Sequence, residues 1–168
     1  VWIIFLLYSF IWAPEDQTGL GFGNFTLNNT GPIAWSLFYI VGAMAFVYIP
    51  ILFLESRERF IPAWPFVLAS MGLGMYALMP YFALRGVWKK KPKTKKTWFT
   101  KIVDSRALGI IVHELILGLL LFGIIAGSIS GDWSNYASLF MESSFVHVMT
   151  IDFALLCLFY PIIIWDDM

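Results

Sequence analysis

Charge is scarce in this chain: only 13% of its 168 residues are Asp, Glu, Lys or Arg, and eleven bases cancel eleven acids. A soluble domain of this length cannot bury so much apolar surface, so a water-facing globule is excluded. The zero net charge singles out no partner. One cysteine, Cys157, leaves no internal disulfide, and its place in an apolar run reads as a packed thiol. There are two histidines, no paired Cys and no His-Glu-x-x-His, so a catalytic zinc or di-iron centre lacks its ligands. What remains is apolar: 60% of positions are hydrophobic and 18% aromatic. The sixteen Phe, eight Trp and seven Tyr suit anchoring at a bilayer interface, and also a surface that holds lipid or flat apolar ligands.

The expected fold class is all-α, an integral membrane helical bundle of about five transmembrane helices forming one domain over residues 1–168. The spans fall at about 1–13, 33–54, 64–84, 107–129 and 145–165. Crossing ~30 Å of hydrocarbon takes about 20 residues at ~1.5 Å each. The first run, VWIIFLLYSFIWA, is too short for that and opens on Val1; it is a truncated span or a helix lying at the interface, and truncation is expected because it lacks a charged face. Any targeting segment would lie upstream of it. Small residues Gly42, Ala43 and Ala45 permit a close neighbour for the second span, and Pro50 is expected to kink or fray its end. Ser70 and Gly74 are a modest packing signal in the third span. Gly123 and Gly127 in the fourth have the GxxxG spacing, and this face is expected to pack on the fifth span.

The connections carry the topology. Residues from Pro14 to Pro32 are rich in Gly, Asn and Thr and read as a loop; two tripeptides, Asn24-Phe25-Thr26 and Asn28-Asn29-Thr30, match the glycosylation pattern. Glu55 to Arg59 reads as a tight hairpin between helices. The segment 85–106 holds nine of the eleven bases, which places it on the cytoplasmic or stromal side. Its expected contact is anionic lipid or an acidic protein surface, not nucleic acid, because Pro92 and the flanking spans leave no ordered groove reader. Asp104 or Ser105 is expected to cap the fourth helix. With five spans, the 14–32 loop and Asp166 and Asp167 share the basic side, and Glu55 to Phe60 and the polar loop Gly131 to Glu142 lie opposite.

Four polar residues lie within the spans: His113, Glu114, His147 and Asp152. Each is costly in hydrocarbon and has to face protein, ligand or water. The spans put His113 near the basic side and His147 near the other, too far apart to share an ion. One reading makes each imidazole a separate axial ligand, to the magnesium of a chlorophyll or to a haem iron, with small or aromatic neighbours forming a flat slot. The other bonds each to a neighbouring carbonyl or carboxylate. Glu114 is a weaker ligand or counter-ion, and Asp152 is expected to bond to a neighbouring helix. Proton exchange through Glu114 and Asp152, as in a carrier or membrane enzyme, is a rival reading, but no repeated second half supports it.

Pro80 to Arg85 (PYFALR), Asp104 to Arg106 (DSR), Gly131 to Trp133 (GDW), Phe145 to Phe153 (FVHVMTIDF) and the terminal Asp166-Asp167-Met168 together resemble a family of multi-span membrane proteins of cyanobacteria and plastids. Within it, the chain looks most like accessory subunits of photosystem I in algae with red-lineage plastids. The resemblance covers about the second half of the chain. It implies a thylakoid location with the basic loop stromal, contacts with chlorophyll, carotenoid and structural lipid, and a non-catalytic role bridging photosystem core subunits to light-harvesting antenna proteins. His113 and His147 would be the chlorophyll ligands. The antenna signature of an acid, then Asn or His, then Arg is absent at His113-Glu114-Leu115, so an ordinary antenna protein is not implied. An assembly factor that leaves the mature complex is the remaining alternative.

Overall fold

A computed structural model describes residues 2–21, 23–56, 64–85, 102 and 105–167. The described residues form helices and connections, with no strand. In chain order these are α1 (Trp2–Leu7), a π-helical turn (Tyr8–Trp12), α2 (Leu27–Ser56), α3 (Trp64–Leu73), α4 (Met75–Arg85), α5 (Arg106–Ser130), α6 (Trp133–Glu142) and α7 (Ser144–Asp167). Three stretches are long and apolar enough to cross a membrane: Leu27–Pro50, Arg106–Ser130 and Ser144–Ile163. Of the expected Glu55 to Arg59 hairpin, Glu55 and Ser56 belong to α2 and the rest lies outside the described residues, as do most of the basic segment and Asp104. Ser105 does cap α5, its Oγ accepting the Leu108 N–H at 3.3 Å.

The helices form two compact units, residues 1–41 with 117–168 and residues 42–116. In the first, Phe25, Phe38 and Phe145 make a three-ring cluster with centroids 4.8 to 6.1 Å apart, and Ala34, Leu139, Val146 and Met149 close around Phe25. The GxxxG face is used, but not against the expected partner. A Cβ at Gly123 would collide with Ser36 Oγ, and one at Gly127 with Ile33, so the backbone of α5 lies against α2 and not against the fifth span. The stretch between α5 and the last helix is also no simple loop. Residues Trp133–Glu142 form α6, which packs against α7 through Tyr136 and Leu139.

The same unit corrects the expected threading. Gln17 donates its N–H to the Glu142 carbonyl at 3.0 Å, and Asn135 Nδ2 donates to the Thr30 carbonyl at 3.4 Å. The 14–32 segment and the 131–142 segment therefore meet at one end of the helices, where five crossings would have separated them. Part of the 14–32 segment is also helical: Leu27 to Thr30 form a turn that breaks from the rest of α2 at Gly31 (φ 75°).

In the second unit α2 continues through Pro50 to Ser56, and Ala43, Ala45, Tyr48 and Leu52 are buried. The expected single span over 64–84 is two helices. Gly74 has φ 51°, a left-handed conformation that glycine adopts without steric cost. Beyond it α4 folds back on α3, bringing the rings of Phe66 and Tyr81 to 5.3 Å. Gly74 thus makes a turn, and neither half has the length to cross a bilayer alone.

Candidate functional site

The two histidines sit in opposite environments. His113 lies on α5, whose apolar window is only 11% buried, and its side chain is 71% exposed. The inward face of this helix passes through Val112, Gly123 and Gly127, spaced as one stripe of a helix requires, and His113 falls outside that stripe. Its neighbours one turn back are Ile110, which is exposed, and Gly109, where an added Cβ would meet nothing within 4 Å. The imidazole thus stands beside an exposed apolar side chain and an open glycine position.

Glu114, 66% exposed, orients that imidazole. His113 Nδ1 and Glu114 Oε1 are 3.3 Å apart. When Nδ1 is the donor in this pairing, Nε2 is the ring nitrogen left with a lone pair. Nε2 makes no hydrogen bond among the described residues. A carboxylate paired with one ring nitrogen fixes the tautomer of an imidazole, and Glu114 stands in that position toward His113.

His147, on the first turn of α7, is buried and has both nitrogens engaged. Nδ1–H donates to the Phe140 carbonyl at 2.9 Å, so Nε2 accepts the Tyr8 hydroxyl, at 2.6 Å. Its ring stacks on Phe140, with centroids 4.2 Å apart, and on Tyr8 at 5.8 Å. A metal at Nε2 would have to displace Tyr8. Asp152, one and a half turns further along α7, is buried as well, and it belongs to a different compact unit from Glu114.

Two polar sites were not visible as such in the sequence. Tyr8 lies 139 positions from His147, and nothing in either local sequence announces the pairing. Asp132 stands at the start of α6, yet its carboxylate turns to α2, accepting the Ile33 N–H at 3.1 Å and the Asn135 amide at 2.9 Å. Of the glycosylation tripeptides, the first has its Asn24 amide spent inside the turn, accepting from Gly21 N–H and donating to the Gly19 carbonyl. Among the described residues no three His, Cys, Asp or Glu side chains cluster to hold a metal ion.

No protein-family model, curated protein or solved structure matches this chain.

Proposed function

We propose that the chain is an integral membrane protein that holds a flat, magnesium-centred tetrapyrrole of the chlorophyll class on the outer face of α5 through His113. The observation that carries this reading is an imidazole with an unengaged Nε2, paired with Glu114 on an exposed and mostly apolar helix and beside the open position at Gly109. An unsatisfied imidazole is costly in hydrocarbon, and a single axial bond to a bound metal removes that cost. A bound chlorophyll would supply light absorption and excitation transfer. The chain itself supplies the rest: Nε2 as ligand, Glu114 holding the proton on Nδ1, Ile110 and Gly109 as the apolar bed. His147 is assigned to holding Tyr8 in place, and no proton-transfer chemistry is assigned to Glu114 and Asp152.

The resemblance to accessory photosystem I subunits supports the wider setting: a non-catalytic thylakoid subunit between core and antenna proteins, with carotenoid and lipid filling the remaining exposed face of α5. The crossings in this reading are Leu27–Pro50, Arg106–Ser130 and Ser144–Ile163. The test is the absorption spectrum of gently solubilised protein together with its migration on a native gel. Chlorophyll absorption and co-migration with intact photosystem support the reading; colourless protein running alone overturns it.

A further inference from the structure

The hairpin of α3 and α4 decides how the chain is threaded through a bilayer. We propose that Trp64–Arg85 is a re-entrant element, entering and leaving the hydrocarbon on one face and lying in a single leaflet. This rests on the membrane reading above. Helices of 10 and 11 residues reach about 15 Å, half the depth of the hydrocarbon. Phe66 and Tyr81 would stand about 22 Å apart in a straight helix, but their rings are 5.3 Å apart. The outward side chains of α3, Trp64, Leu68, Met71 and Leu73, are exposed, while Leu78, Met79 and Tyr81 of α4 are buried. The occupant of the α3 face is therefore the acyl chains of that leaflet, and α4 supplies the covered side of the hairpin.

Two independent observations agree. Contacts of Gln17 with Glu142 and of Asp132 with Ile33 hold the start of α2 and the end of α5 at one end. If α2 crosses away from that face and α5 crosses back, the intervening chain makes no net crossing, which a re-entrant hairpin satisfies and a third span does not. The charges follow the same division. With no net crossing, all eleven bases fall on one face, together with Glu55, Glu58 and Asp104, and Glu15, Asp16, Asp132 and Glu142 fall on the other. A crossing at 64–84 would put Arg57 and Arg59 on the face away from the other nine, against the usual retention of cations on one side.

The test is side-specific labelling in sealed, uniformly oriented membrane vesicles with an impermeant maleimide. Phe60→Cys, Thr94→Cys, Gln17→Cys and Ser134→Cys are each made in a Cys157→Ala background. The proposal expects positions 60 and 94 to label from one face and 17 and 134 from the other, with labelling at least tenfold greater on the reactive side. Positions 60 and 94 on opposite faces overturn the hairpin while leaving membrane integration intact. All four positions labelling from outside, with the protein released by alkaline carbonate, overturns the membrane reading itself. A variant that fails to insert is replaced by protease nicking of the unsubstituted chain in the 86–101 stretch and the 14–21 loop, where cleavage of both from one face counts against the proposal.

Discussion

Asp132 Oδ2 accepts the backbone N–H of Ile33 at 3.1 Å, so a carboxylate from the α5 to α6 turn caps the main body of α2 from across the fold. Just before Ile33, the chain bends at Gly31 and resumes the helix through Pro32, which has no N–H to satisfy. The next amide is a typical orphan donor of a helix start, and a carboxylate there also complements the helix dipole. Asp132→Ala is expected to lower stability by about 1–3 kcal/mol, because it leaves the Ile33 N–H and the Asn135 amide without this acceptor. Thermal unfolding in detergent measures it, and Asp132→Asn, which keeps an oxygen, is expected to lose less.

Gly31 is tied to the same contact. A Cβ there would overlap the Asp132 carboxyl group, and φ is 75°. Gly31→Ala is expected to cost about 1–3 kcal/mol, as a strained backbone position does. Gly109→Ala meets open space and is expected to leave stability unchanged or raise it by up to about 1 kcal/mol through helix propensity.

The contact between α5 and α2 makes a second set of expectations. Gly123→Val and Gly127→Val are each expected to destabilise by about 1–3 kcal/mol, since the added atoms would meet Ser36 and Ile33. Gly118→Val, on the open side of the same helix, is the control expected to stay close to the unsubstituted protein, apart from the modest helix-propensity effect.

Tyr8→Phe is expected to cost about 1–3 kcal/mol by leaving the buried His147 Nε2 without its donor. A double-mutant cycle with His147→Phe measures the pairing. A coupling well above 0.5 kcal/mol is expected, because the two side chains touch.

The half-buried phenol of Tyr136 sits on α6, outside the long apolar stretches, and desolvation raises its pKa above the ordinary tyrosine value. Ionisation is thus easier in the unfolded chain. The stabilisation is fully present below about pH 10 and is lost as pH rises through the folded value. Titration of phenolate absorbance is expected to lose a late-titrating component on Tyr136→Phe substitution.

The helical class and the three long helices were legible because apolar runs above twenty residues have few alternatives. The reading failed where one residue decides the path. In the run from Trp64 to Leu84 hydropathy is unbroken, and only the backbone angle of Gly74 turns a span into a hairpin. Helix α6 was hidden by its Ser and Asn, although Tyr136, Leu139 and Phe140 stand at helical spacing and mark the face that packs. GxxxG correctly announced a close approach but not its partner, since spacing along one helix says nothing about which neighbour fills it. The two histidines looked alike in sequence. Their difference came from Tyr8 and the Phe140 carbonyl, one of them distant in the chain.

The central claim is that His113 ligates a tetrapyrrole and His147 does not. The most direct measurement is pigment per chain in the solubilised complex for His113→Leu and His147→Leu, with assembly checked on the same native gel. The account predicts that His113→Leu assembles with one chlorophyll fewer and that His147→Leu, where it assembles, keeps the full count. An unchanged count in His113→Leu would contradict it.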